Sequence, residues 1–307
     1  MSLLVVGTVA LDDVETPMGK KIDTLGGSAS HFSMAASRIT SPSIVGVVGR
    51  DFPHKHIAYF KKHKINTEGI EVLDAKTFHW TGHYKDDMNE AYTDNTELGV
   101  LSLFDPKLSS AQKDSKFAFL ANMEPNTQMK VVKQLANPKL LGLDSMNFWI
   151  DSQKDDLWKV IRRVDAVFLN DEEARSLVQE TSVVKAAKQI QKKGPSIVVI
   201  KRGSYGAYIR GSNFIFDAPA FPTEKIKDPT GAGDSFAGGF MSYLSIKADK
   251  KPITESLIRE AVVWGSACAS FCVEEFSTKG LEKATKTQIK ERCKEIKAIS
   301  SFSLPSV

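Results

Sequence analysis

The chain has 307 residues, 42% of them hydrophobic and 25% charged, with a net charge of +4. That composition suits a single large α/β domain over residues 1–307, and the dispersed basic excess fits anionic small ligands rather than a nucleic-acid surface. No apolar run approaches the length of a membrane span, and three cysteines without paired spacing (Cys268, Cys272, Cys293) argue against a disulfide framework and for a reducing compartment.

Leu3–Val6 reads as a first strand. It is too short and lacks the basic start of a signal peptide, so the cytoplasm is the expected location. The Gly- and Pro-containing stretch Asp12–Leu25 supplies a strand that leaves the main sheet. Ser28–Thr40 has a helical stripe of Phe32, Ala35, Ala36 and Ile39, with Ser28 as its expected N-cap. A strand follows at Ile44–Val48. From Thr77 the period changes: Phe78, Trp80 and Tyr84 alternate with Thr77, His79, Thr81 and His83, the mark of a half-exposed strand. Asp86–Asn89 is turn-forming and a second polar strand follows, so residues 77–96 read as a hairpin. Segments of about 12–25 and 75–100 together predict a small β lid, the plainer reading being an edge hairpin. Further strands are expected at Phe117–Leu120, Leu140–Asp144, Ala166–Asn170 and Ile197–Lys201, mostly unbroken apolar runs as in parallel sheets covered on both faces. Helical patterns occupy Asp171–Val178, Ser182–Lys193, Asp234–Ile246, Ile253–Phe271 and Lys286–Ile299. Cys268 and Cys272 fall in the apolar part of one of these as core thiols. The repeated strand–helix units predict a three-layer α/β/α fold around a mostly parallel sheet.

The most informative stretch is Asp228–Met241, DPTGAGDSFAGGFM. Pro229 ends what precedes it, and Gly231-Ala232-Gly233 makes a tight turn almost free of side chains. Asp234 then opens a helix whose buried face is Phe236, Ala237, Phe240 and Met241. A glycine turn at a helix start presents unpaired N–H groups and the positive dipole end, a cradle for phosphate. The helix end is expected to keep Asp234 ionised. A carboxylate beside an anion cradle repels phosphate, but makes sense as the acceptor of a proton from an attacking hydroxyl. GAGD alone reads equally well as a structural turn with a capping Asp. The dinucleotide fingerprint fails because Phe236 stands where its third glycine belongs, and no GxxxxGK[ST] occurs.

The whole string resembles the signature of the PfkB family of carbohydrate kinases, which includes ribokinase and adenosine kinase. The resemblance implies Asp234 as general base and the Gly231, Ala232 and Gly233 amides as an anion hole. It places Asp228 and Thr230 where some members hold a monovalent cation and others do not. Gly7–Asp12 is similar to the family's opening strand and loop, which makes Asp12 the group that binds acceptor hydroxyls. Gly26-Gly27 matches a glycine pair lying against the sugar, and His31 stands where relatives carry Asn. Val45–Phe52 resembles the second strand and loop, structural in role. Asn170-Asp171-Glu172-Glu173 matches an NxxE element, so Asn170 and Glu173 are expected to organise Mg²⁺ through water. Lys201–Gly206 resembles the nucleotide loop, with Gly203, Gly206 and, where many members have Thr, Lys201 facing ATP phosphates. Trp264–Val273 falls where the family shapes an adenine pocket, and Asp144 and Asn147 end another sheet strand facing the ligand side.

The expected activity is thus ATP- and Mg²⁺-dependent phosphorylation of a small sugar or nucleoside. The lid aromatics Phe78, Trp80 and Tyr84 are suited to stacking on a base, which makes a nucleoside acceptor the alternative to a free sugar, and exposed lid strands offer a route to a homodimer. The rival from another class is a sugar- or nucleotide-binding regulator without catalysis, against which the intact Asp234 and glycine turn argue.

Overall fold

The computed structural model describes residues 3–301. In strand β1 (Leu3–Val6) every residue is buried, and its alternating side chains feed two separate cores. Leu3 and Val5 join the core containing Phe32, Phe240 and Leu281; Leu4 and Val6 join that containing Val131, Leu157 and Leu177. Continuous apolar strands form where both faces are covered in this way.

The other strands are β2 (Ala10–Thr16), β3 (Gly19–Gly26), β4 (Ser43–Gly49), β5 (Asn66–Leu73), β6 (His79–Tyr84), β7 (Ala91–Glu97), β8 (Phe117–Leu120), β9 (Leu140–Asp144), β10 (Ala166–Asn170), β11 (Ile197–Lys201), β12 (Ala207–Arg210) and β13 (Ile215–Ala218). Nine of them form one sheet in the order β13-β12-β11-β10-β9-β8-β1-β4-β5, parallel from β11 to β5 and antiparallel at β11-β12-β13. Helices Ser28–Ser37, Ala232–Lys247, Glu255–Cys272 and Lys286–Ser300 cover one face; Pro125–Val132, Lys154–Ile161, Asp171–Val178 and Val183–Gln191 cover the other. This is the three-layer α/β/α arrangement expected. Among the described residues no helix is long and apolar enough to cross a membrane.

The remaining four strands make a second sheet in the order β3-β2-β6-β7, with β2 and β6 parallel and both outer pairs antiparallel. The hairpin expected over 77–96 is β6–β7, and the stretch expected to partner it is β2–β3. Strands β5, β12 and β13 lay outside the sequence reading. β5 and β13 are partly exposed edge strands with polar residues among the apolar ones, and β12 is a four-residue strand, buried but too short to stand out.

Two helix starts differ from expectation. Ser28 is the first residue of its helix, not the cap; Gly27, at φ 89°, occupies the cap. The Ser28 hydroxyl pairs instead with Thr8 Oγ1 at 2.9 Å. The helix expected from Asp234 begins at Ala232, with Gly231 capping it at φ 73°. These two helices lie side by side. A Cβ on Gly238 would sit 2.3 Å from the Phe32 carbonyl oxygen, so only glycine allows the approach. Their glycine-capped starts therefore open at the same end of the sheet.

Candidate active site

The C-terminal ends of β9, β10 and β11 carry Asp144, Asn170 and Lys201. Asn170 and Lys201 are direct partners in the parallel register, so both end in the crevice where open α/β sheets bind ligands. Lys201 Nζ reaches across to Asp144 Oδ2 at 2.6 Å. It also abuts the glycine turn, since a Cβ on Gly233 would lie 2.9 Å from the ammonium nitrogen. On the turn's other side, a Cβ on Gly231 would overlap the His31 ring at 2.1 Å. The turn is thus threaded between a lysine and a histidine, and bare backbone is what fits there.

The amides of that turn are not equivalent. Ala232 N–H donates to the Pro229 carbonyl at 3.1 Å, and Thr230 N–H to Asp228 Oδ1 at 2.9 Å. Among the described residues, the Gly231 and Gly233 amides donate to no protein acceptor. The expected three-amide hole is corrected to two free donors, because the Pro229 carbonyl closes a turn onto Ala232. Asp228 also accepts from Ser277 N–H at 3.0 Å through its other oxygen, pinning the loop before the turn.

Asp12, in β2 of the small sheet, is buried against the glycine pair. A Cβ on Gly26 would sit 1.8 Å from Asp12 Oδ2, and one on Gly27 would sit 2.5 Å from the Thr8 carbonyl oxygen. Gly26 leaves room for the carboxylate and Gly27 for the chain crossing. The pocket wall continues to His31, 1% exposed, whose Nδ1 lies 3.8 Å from Cys272 Sγ. Gly203 (φ 54°) and Gly206 (φ 83°) shape the turn after β11. A Cβ on Gly203 would come within 3.5 Å of Asn89 in the tip of the β6–β7 hairpin.

Burial dominates the electrostatics. It pushes Asp12 up to about 8, helped by Asp228. Asp234 is pushed up to about 7, first by burial and then by the charge of Asp144, against the opposing pull of Lys201. The expectation that the helix end keeps Asp234 in the ordinary carboxylate range is therefore corrected: withdrawal from water and a neighbouring carboxylate outweigh the dipole. Glu173 rises to about 8 through burial, although Lys201 pulls it down. Burial pulls the Lys201 ammonium down, but Asp144, Glu173 and Asp234 together more than offset it. His31 is lowered to about 4 by burial and is neutral at neutral pH.

Asn170 and Glu173 form a reciprocal capping box at the start of Asp171–Val178. Asn170 N–H donates to Glu173 Oε2 and Glu173 N–H to Asn170 Oδ1, each at 2.7 Å. This fixes both side chains at the mouth of the crevice. Asp144, Glu173 and Asp234 face one lysine, a cluster of hard carboxyl oxygens whose ionised forms a bound cation would favour. That donor set fits a divalent cation arriving with a polyphosphate.

Sequence reasoning missed how two groups are used. Asp144 was placed only at a strand end, and nothing in its neighbours signalled a partner fifty-seven residues away. Tyr84 was one of several alternating aromatics. In the structure the Thr230 hydroxyl donates to its oxygen at 3.2 Å, and burial pushes the phenol above its ordinary range.

Residues 22–284 match the profile of the pfkB family carbohydrate kinases. A cytidine kinase of Thermococcus kodakarensis is 29% identical over 252 residues, covering 80% of this chain and 89% of its own. Among solved structures, a ribokinase of Giardia lamblia superposes with a TM-score of 0.81 at 17% identity, covering 96% of this chain and 99% of that one. A Burkholderia thailandensis nucleoside kinase in complex with inosine superposes at 0.75 with 19% identity, covering 96% and 98%.

Proposed function

Because the chain belongs to the pfkB family of carbohydrate kinases, phosphotransferases with an alcohol acceptor, we propose that it moves the γ-phosphoryl group of ATP onto a hydroxyl of a small sugar or nucleoside. The observation that carries the reading is the buried Asp234 in the first turn of a helix whose cap, Gly231, and next residue but one, Gly233, have amides without protein acceptors. In this mechanism Asp12 accepts hydrogen bonds from the acceptor's hydroxyls and holds one of them toward Asp234. The hydroxyl oxygen forms a bond to γ-phosphorus as the bond from phosphorus to the β–γ bridging oxygen breaks. Asp234 takes the hydroxyl proton, and ADP leaves. The Gly231 and Gly233 amides aim at the oxygens of the travelling group, where each well-placed donor contributes a few kcal/mol in a water-poor site. Lys201 turns from Asp144 toward phosphate, as an ammonium so placed can. Asn170 and Glu173 would hold Mg²⁺ through water, and that ion neutralises β- and γ-phosphate charge when bound. The small sheet acts as a lid that excludes water.

A nucleoside acceptor is favoured by Trp80. It is the register partner of Asp12, so both side chains stand on one face of the small sheet. Its indole packs over Gly82, where a Cβ would lie 2.2 Å from the ring, and its Nε1 donates to Thr93 at 3.1 Å. A flat ring held beside the diol-binding carboxylate suits a base attached to a ribose. The similarity to the Thermococcus kodakarensis cytidine kinase, whose acceptor is a nucleoside, supports the same reading. The test is an acceptor screen of nucleosides against free sugars with a coupled ADP readout. Asp234→Asn should lose about a hundredfold or more in rate while keeping ATP binding. A variant that turns over normally would remove Asp234 from the mechanism, and turnover with free sugars alone would remove the nucleoside reading.

A further inference from the structure

The β6–β7 hairpin meets the glycine turn at one point. Thr230, the residue just before Gly231, donates its hydroxyl to Tyr84 at the end of β6. Among the described residues this is the only hydrogen bond between residues 79–97 and residues 228–234. The rest of the small sheet reaches neighbouring segments instead: Thr16 donates to the Lys227 carbonyl at 2.8 Å, and Ser277 donates to the Leu25 carbonyl. Those ties hold β2 against the loop that leads into the turn and β3 against Ser277, whose own N–H binds Asp228 in that loop. Tyr84 acts later in the chain, where the free amides begin.

The contact has a lever built into it. Thr230 N–H is held by Asp228, Ala232 N–H by Pro229, and the Gly231 cap stands against the His31 ring. The turn is thus gripped from below and from its N-terminal side, and Tyr84 supplies the grip from above. Withdrawing the hairpin removes that upper grip while leaving the rest of the turn attached. Asp12 and Trp80 are register partners on one face of the small sheet, so an acceptor bound by Asp12 would lie against that face, beside the hairpin.

Resting on the kinase reading above, we propose that Tyr84 is a positioning residue that couples the seating of the small sheet over an acceptor to the aim of the Gly231 and Gly233 amides. With the hairpin seated, the turn is ready for transfer. With it displaced, the turn is mobile and the phosphoryl group is exposed to water. The residue thereby favours transfer to an alcohol over hydrolysis of ATP.

The test uses Tyr84→Phe, which keeps the ring and removes the acceptor oxygen, and Thr230→Val, which removes the same bond from the other side. Amide exchange over residues 228–236 in the free protein should become about fivefold faster in either variant, the effect of losing one ordinary hydrogen bond. With ATP and the acceptor found by screening, ADP released per phosphorylated acceptor should rise severalfold above the wild-type ratio. The double variant should be no worse than the more affected single one, because both changes delete one interaction. A purely structural role would lower the melting temperature and leave the ADP-to-product ratio alone. Unchanged exchange and an unchanged ratio in Tyr84→Phe would overturn the inference. If the wild-type protein phosphorylates no acceptor, the kinase reading fails, yet the exchange measurement still decides whether Tyr84 holds the turn.

Discussion

Gly231→Ala tests whether the turn works through its backbone aim. Gly231 sits at φ 73°, a region L side chains enter at a cost of roughly 1–2 kcal/mol. The added Cβ would lie 2.1 Å from His31 Cγ and 2.2 Å from Nδ1. Comfortable carbon contacts are about 3.5 Å, so the cap or the ring must move by more than about 1 Å. His31 is 1% exposed and hemmed in, which leaves the cap as the part that yields. A misplacement of about 1 Å costs on the order of a hundredfold in rate, and loss of one anion-hole donor costs a similar amount or more. The expected result is a kcat about a hundredfold lower, with ATP affinity by calorimetry changed less than about tenfold. A melting curve would confirm that the fold survives. Combining Gly231→Ala with His31→Ala restores the missing space but not the backbone preference, so relative to His31→Ala alone the penalty should shrink about tenfold. A Gly231→Ala protein within about threefold of wild-type kcat, or a double variant with the full penalty, would refute the claim that the turn is wedged against His31.

The same histidine predicts a pH dependence of stability. Burial lowers it from 6.5 to about 4, so below pH 6.5 the unfolded chain takes a proton that the folded chain refuses. Its contribution is complete above pH 6.5 and is lost as pH falls toward 4. In denaturant unfolding, wild type should lose about 2 kcal/mol more than His31→Gln between pH 7 and pH 5; equal losses would rule this out. The Lys201–Asp144 pair gives another test, because its side chains are only 17% and 4% exposed. Lys201→Met strands a buried carboxylate and should destabilise by on the order of 3 kcal/mol, most of it recovered in Lys201→Met with Asp144→Asn, as read by urea unfolding.

What could be read from the sequence, and what could not, divides along physical lines. The parallel strands were legible because each is covered on both faces: Val198, Val199 and Ile200 have no polar alternation to confuse them with anything else. Strand β5 was missed because an edge strand carries the polar residues of its open side, and Asn66–Leu73 has no fully buried position. The glycine turn was legible for a different reason. GAGD alone suits a structural turn equally well, but the full string DPTGAGDSFAGGF joins bare backbone at a helix start to a carboxylate and close-packing glycines, all within one continuous segment. What the local string did not contain was the state of its groups. Asp234 was expected to be ionised by its own helix; its proton affinity is instead set by Asp144, Lys201 and the closed environment, none of them nearby in sequence. Likewise the Ala232 amide was counted as a free donor, whereas the fold spends it on Pro229. Residue type and spacing therefore identify which atoms are brought to a site, because those depend on local backbone needs. The protonation and hydrogen bonding of those atoms depend on distant segments folded against them. The burial of Asp12, the wedge of His31 against Gly231 and the bond from Thr230 to Tyr84 all belong to that second kind.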